Sequence, residues 1–147
     1  MNTTTAPSLA QLINRASRAL ARDGDAALKP LGLRYAQVPV LALLSGGREL
    51  TQKALAEAAG IEQPSMAQLL TRMDRDGLIR RTPHPHDARS HTIALAAGTA
   101  ARVTEAHQHL TDLDGRAAAG FTAEEIDTLK DLLTRLSNNL EKTNGPQ

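Results

Sequence analysis

The chain has 147 residues, of which 41% are apolar, with no cysteine and a formal net charge of +1 at pH 7. That length supports one domain with a hydrophobic core and is too short for two independent catalytic domains. The absence of cysteine excludes disulfides, thiolate metal ligands and thiol redox sensing, and no apolar run nears the ~18 residues that a membrane helix needs.

Tyr35 and Phe121 are the only aromatics. Leu, Ile, Val, Met and Ala must therefore fill the core, a composition that favours helices packed on helices. Met1 to Ser8 has neither the basic start nor the apolar stretch of an export signal, so a cytoplasmic protein is expected. A charge of +1 is no global signature of nucleic-acid binding, and any basic surface has to come from local distribution. Residues 1–36 hold five basic and two acidic side chains, whereas residues 108–147 hold four and seven. The C-terminal end is thus a poor surface for a polyanion.

In chain order, Leu9, Leu12, Ile13, Ala16, Ala19 and Leu20 recur at helical spacing, with Arg15, Arg18 and Arg22 between them. This first helix is expected to end by Pro30 or Gly32. A second runs from about Tyr35 through Leu44, with Pro39 tolerated near its start, until Ser45-Gly46-Gly47 stops it. Thr51 suits the N-cap of a short helix through about Ala59, with Ala54, Leu55 and Ala58 as its inner face. After Gly60 a further helix spans about Gln63 to Asp76, where Met66, Leu69, Leu70 and Met73 line one side and Gly77 closes the end.

Leu78 to Thr82 and Ser90 to Leu95 read as paired strands, joined by an exposed loop over residues 83–89. From Gly98 onward Val103, Ala106, Leu110, Leu113 and Ala117 form a narrow apolar seam on a long helix, a pattern that usually meets another helix. The last helix carries Thr122 and Glu125 as a capping box and Phe121 with Ile126 as a hydrophobic staple. Its Ile126, Leu129, Leu133, Leu136 and Leu140 repeat the seam.

Two short helices joined at Gly60, the second feeding a hairpin, make a winged helix-turn-helix. The fold expected is mainly α, with six helices and a β-hairpin wing. With the apolar side of the second helix turned inward, Gln63, Pro64, Ala67, Gln68, Thr71 and Arg75 lie outward, flanked by Ser65 and Arg72. Such a face of small and polar residues can enter a DNA major groove, where Gln pairs with adenine and Ser or Thr reaches bases or phosphates. Arg89 projects near the hairpin tip, where a guanidinium suits a narrow minor groove, with Asp87 to orient it. Arg80 and Arg81 stand on the incoming strand as phosphate contacts beside Arg72 and Arg75.

The segments Leu50-Thr51-Gln52-Lys53-Ala54-Leu55-Ala56, Gln63-Pro64-Ser65-Met66, Arg72-Met73-Asp74-Arg75-Asp76-Gly77-Leu78-Ile79 and Asp87-Ala88-Arg89-Ser90 resemble those of MarR-family transcriptional regulators. The likeness covers nearly the whole chain and is most specific over about residues 48–95. It implies that the helix over 63–76 reads the major groove and that Arg89 enters the minor groove. It also implies that the first and last two helices form a homodimer, as the two seams require. The implied division is a DNA-binding lobe over 34–97 and a helical dimerisation lobe over 8–33 and 98–142, integrated as one domain. Leu95-Ala96-Ala97-Gly98-Thr99 departs from the Leu-Thr-x-x-Gly with which the family often opens its next helix.

The resemblance implies a regulator, with repression as the default, that binds a pseudo-palindromic operator of double-stranded DNA and is released by a small aromatic or anionic effector. Arg15, Arg18, Tyr35 and His107 are the candidate effector contacts. No cofactor, catalytic residue or membrane partner is expected. Two alternatives stand beside it. His84, His86, Asp87 and His91 crowd one stretch with His-x-His spacing, as in a metal-responsive regulator or, less suitably for so small a chain, a metal hydrolase. The seams would also suit a helical protein-interaction module, which leaves the wing unexplained.

Overall fold

The computed structural model describes residues 5–143 and Gly145. It contains the expected six helices and a small antiparallel sheet. Two compact units are distinguished, Met1–Thr111 and Asp112–Gln147. Among the described residues no helix is long and apolar enough to cross a membrane.

The first unit opens with α1 (Leu9–Leu28). Ser8 and Gln11 form a reciprocal cap at its start: the Gln11 N–H donates to Ser8 Oγ at 3.1 Å, and the Ser8 N–H donates to Gln11 Oε1 at 2.7 Å. The helix tightens into a 3-10 turn over Lys29–Leu31, which accommodates Pro30. The expected second helix is shorter than its sequence pattern. A 3-10 turn over Tyr35–Gln37 precedes α2 (Val38–Leu43), with Pro39 in its first turn, where no intrahelical N–H is needed.

After β1 (Leu50–Thr51), α3 spans Gln52–Ala59, and the Thr51 hydroxyl accepts the Ala54 N–H at 3.1 Å, as a capping threonine should. Its inner face differs from the expected one. Leu55 and Ala56 are buried, Ala54 is half-buried, and Ala58 is exposed. Gly60 adopts φ +65°, which lets the Ile61 N–H close on the Ala56 carbonyl at 3.0 Å and turns the chain into α4 (Gln63–Arg75).

Met66, Leu70 and Met73 of α4 are fully buried and Leu69 is half-buried, so the i, i+3, i+4, i+7 apolar spacing does set the inward face. They join Leu28, Leu44, Leu55, Leu78 and Ile93 in one core.

The hairpin is longer than expected. β2 (Ile79–His84) and β3 (Asp87–Leu95) leave only Pro85 and His86 at the tip. In the sheet order β1-β3-β2 the strand β2 lies at an edge, where the missing N–H of Pro83 need not cost a ladder bond. The long loop over 83–89 is therefore replaced by strand on both sides of a tight turn.

The helix α5 (Thr99–Ala117) starts in the first unit and ends in the second. In the second unit, α6 (Ala123–Thr143) begins at the expected capping box: the Thr122 N–H donates to Glu125 Oε1 at 3.0 Å and the Glu125 N–H to Thr122 Oγ1 at 3.1 Å. Leu129, Leu133 and Leu140 of its seam are exposed, as is Leu132 beside them.

Candidate nucleic-acid interface

The burial of one side of α4 leaves a continuous outer face. Gln63, Pro64, Ser65, Gln68, Thr71, Arg72 and Arg75 are exposed and Ala67 is half-buried. Pro64 stands in the first turn, and Arg72 and Arg75 occupy the last. Two of the polar side chains turn back on the helix: Thr71 Oγ1 donates to the Ala67 carbonyl at 2.9 Å and Arg72 Nε to the Gln68 carbonyl at 3.4 Å. Thr71 keeps its lone pairs for accepting, and Arg72 keeps its terminal amino groups for an anion. Arg75 leans on Asp76 at 3.3 Å, an exposed pair of little energetic weight.

The C-terminal end of α4 is built to launch the hairpin. Gly77 at φ +72° lets the Leu78 N–H reach the Met73 carbonyl at 2.9 Å and buries Leu78, the residue before β2. Arg81 on β2 then reaches back to Asp74 on α4 at 3.4 Å, and Arg80 approaches Glu49 at 3.7 Å. Sequence reading placed Arg80 and Arg81 as phosphate contacts and did not see these carboxylates. Asp74 is the last residue but one of α4, and nothing in its spacing announces a partner on the strand. The pair ties the wing to the helix, although both carboxylates are exposed enough for a phosphate to compete.

At the tip, strand pairing steps from Pro83 opposite His91 to His84 opposite Asp87. Arg89 and Ser90 of β3 lie within that step, and a bulge of this kind re-aims side chains. Asp87 orients Arg89 through the backbone, since its Oδ1 accepts the Arg89 N–H at 3.0 Å. The exposed guanidinium has no ion pair among the described residues.

The histidines do not assemble a metal centre: among the described residues no three His, Cys, Asp or Glu side chains come together as a metal-holding group. The Nδ1 of His84 instead accepts the His86 N–H at 3.1 Å.

The four candidate effector contacts are not brought together. His107 lines a cavity of about 300 Å³ with Val38, Leu41, Ala42, Val103 and Leu110, and Ser45 and Thr104 at its polar edge. Tyr35 instead lies against Gly24 of α1. Arg15 and Arg18 are exposed on α1 and line neither this cavity nor the more polar one of about 450 Å³ among Asp25, Lys29, Arg34 and Asp76. Val103 and Leu110 lie one turn from His107 on α5, but Val38, Leu41 and Ala42 come from α2, far away in sequence, so spacing alone could not have found those partners.

A family model described as the MarR family matches residues 31–90, the stretch that holds the helix-turn-helix and most of the hairpin. A mutant MarR from E. coli, solved in complex with operator DNA, is 28% identical; the match covers 87% of this chain and 92% of that one, with a TM-score of 0.80. The transcriptional regulator MosR of M. tuberculosis, also solved with DNA, is 27% identical, with 95% and 100% of the two chains covered and a TM-score of 0.82. The MepR–DNA complex of S. aureus, 21% identical with 91% and 99% covered and a TM-score of 0.83, shares the fold. With the motif matched by the family model over residues 31–90 and the architecture matched over nearly its whole length, this chain is similar to the winged helix-turn-helix proteins of the MarR family.

Proposed function

We propose that this chain is a DNA-binding transcriptional regulator, and no enzyme, which acts in the cytoplasm as a homodimeric repressor released by a small effector. The observation that carries the reading is the pairing of an outward α4 face of small and polar residues with an unpaired Arg89 on the bulged wing. Gln63, Pro64, Ser65, Ala67, Gln68 and Thr71 read base edges in the major groove, and Arg89 enters the adjacent minor groove. Arg72 and Arg75 take phosphates, and Arg80 and Arg81 do so where phosphate outcompetes Glu49 and Asp74. The DNA complexes of E. coli MarR and M. tuberculosis MosR support this partner.

Residues 34–97 serve as the DNA-binding lobe, and residues 8–33 and 98–142 as the dimerisation lobe. The exposed leucines of α6 are the apolar surface that a second copy would cover. A two-fold dimer presents two α4 helices about one DNA turn (~10 bp) apart, so the operator is a pseudo-palindrome. The cavity beside His107 is the favoured effector site: its lining is apolar and its single imidazole can pair a phenol or an anion.

The test is a gel-shift titration with the DNA immediately upstream of the gene, comparing the wild type with Arg89→Ala. The variant should remain dimeric by light scattering and bind roughly 10- to 100-fold more weakly, the loss expected for one well-placed arginine contact per half-site. Equal affinity of the two proteins would remove the wing from the mechanism. A wild-type affinity indifferent to salt would count against DNA binding altogether.

A further inference from the structure

Three arginines on and beside α4 are held in the same way, by the inner nitrogen of the guanidinium. Arg72 Nε donates to the Gln68 carbonyl at 3.4 Å, Arg75 Nε donates to Asp76 Oδ1 at 3.3 Å, and Arg81 Nε meets Asp74 Oδ2 at 3.4 Å. A guanidinium carries five N–H donors, of which Nε supplies one. Anchored there, each side chain is oriented and still has its terminal amino groups to offer to phosphate oxygens. Arg80 differs, because it meets Glu49 through a terminal nitrogen, Nη2, at 3.7 Å.

The three anchors differ in charge. The Gln68 carbonyl is neutral and leaves Arg72 a full cation, whereas Asp76 and Asp74 offset the charges of Arg75 and Arg81. Among the described residues, Arg75, Arg80 and Arg81 each have a carboxylate within ion-pair distance, and Arg72 and Arg89 have none. Beyond about 10 Å, the screening length at 0.1 M salt, a guanidinium and a carboxylate this close act as a nearly neutral pair. Non-specific binding draws on net charge and counterion release, so a face of paired arginines holds random sequence weakly. On an operator, base contacts from α4 bring phosphates to hydrogen-bonding distance, where the terminal amino groups of an anchored arginine are already ordered. Where phosphate prevails, it takes those amino groups, and Nε keeps its acid.

We propose that Asp74 and Asp76 are positioning residues for sequence discrimination: they order Arg81 and Arg75 for operator phosphates and cancel the charge by which random DNA would be retained. The proposal rests on the reading above that this surface docks on DNA. Their effect lies in the ratio of operator to random affinity rather than in operator affinity alone.

The test measures affinity for the upstream duplex and for a scrambled duplex of the same length and composition, by fluorescence anisotropy across a salt series. The proteins are wild type, Asp74→Asn, Asp76→Asn, the double variant Asp74→Asn, Asp76→Asn, and a double variant Asp74→Glu, Asp76→Glu that keeps both charges. An exposed ion pair accounts for up to about fivefold in an equilibrium, so the double asparagine variant should bind the scrambled duplex about 5- to 25-fold more tightly. Its logarithmic salt slope there should steepen by about 0.9 for each uncovered cation. On the upstream duplex its affinity should stay within about threefold of wild type, because the weaker neutral anchor offsets the repulsion removed. Each single variant should show part of the loss of discrimination, and the glutamate variant should keep the wild-type ratio. Equal gains on both duplexes would mean that the acids only repel DNA, and would overturn the proposal. So would an unchanged affinity for the scrambled duplex, a wild type that binds both duplexes equally, or the same loss of discrimination in the glutamate variant. Asparagine matches aspartate in shape and keeps an acceptor for Nε; circular dichroism checks the fold, and the single variants read the same ratio if the double one unfolds. If the wild type binds neither duplex, the docking reading itself fails and the proposal falls with it.

Discussion

Gly24 lies inside α1 about one turn before its end, where a glycine ordinarily costs ~1 kcal/mol relative to alanine, so Gly24→Ala would be expected to stabilise the protein. The Tyr35 ring reverses that expectation. A Cβ at position 24 would stand 2.8 Å from Tyr35 Cγ and 3.0 Å from Cε2, and closer still to Cδ2. The tyrosine cannot simply retreat, because its backbone N–H is held by Asp25 Oδ1 at 2.8 Å, so the ring must leave its rotamer. Overpacking of this kind costs about 2–3 kcal/mol, against about 1 kcal/mol regained in helix propensity. The net loss of about 1–2 kcal/mol corresponds to a Tm lowered by roughly 2–8 °C for a chain of this size. The assay is thermal and urea unfolding of four proteins: wild type, Gly24→Ala, Tyr35→Ala and the double variant. With the ring removed, Gly24→Ala should gain about 0.5–1 kcal/mol, so the cycle yields a coupling of about 1.5–3 kcal/mol where additivity would give none. The reasoning is refuted if Gly24→Ala unfolds at or above the wild-type temperature, or if its cost persists in the Tyr35→Ala background.

Other expectations follow from single observations. Thr99 Oγ1 is buried at the start of α5 with no hydrogen-bond partner among the described residues, so Thr99→Val should remove an unsatisfied hydroxyl and stabilise by about 1 kcal/mol, read as a Tm raised by roughly 2–4 °C. A lower Tm would show that the hydroxyl has a partner after all. Thr51→Ala deletes the cap of α3 and should cost about 1 kcal/mol, most of which Thr51→Ser restores, in the same unfolding assay. If α6 pairs with a second copy, a variant carrying Leu129→Lys and Leu133→Lys should fall from dimer mass to monomer mass in light scattering, with helicity retained by circular dichroism; an unchanged dimer would place the interface elsewhere.

The sequence by itself determined the features that depend on near neighbours along the chain. Helical periodicity placed α1, α4, α5 and α6, and Thr51, Thr122 with Glu125, Gly60 and Gly77 marked the ends, because a cap or a left-handed turn involves residues only a few positions apart. The outward face of α4 was legible for the same reason: burying Met66, Leu70 and Met73 leaves Gln63, Gln68 and Thr71 on the other side.

Tertiary structure alone decided what depends on distant residues. Pro83 looks like a strand breaker until β2 is known to lie at the edge of the sheet, where its missing N–H costs nothing. On α3, Ala56 and Ala58 are chemically identical, and only the packing of α3 on its neighbours buries the first and exposes the second. The bonds of Arg81 to Asp74 and Arg80 to Glu49, the seat of Tyr35 on Gly24, and the company His107 keeps with Val38 and Leu41 all arise from how separate elements meet. Periodicity says which side of a helix is buried, but packing between elements selects the partner that buries it.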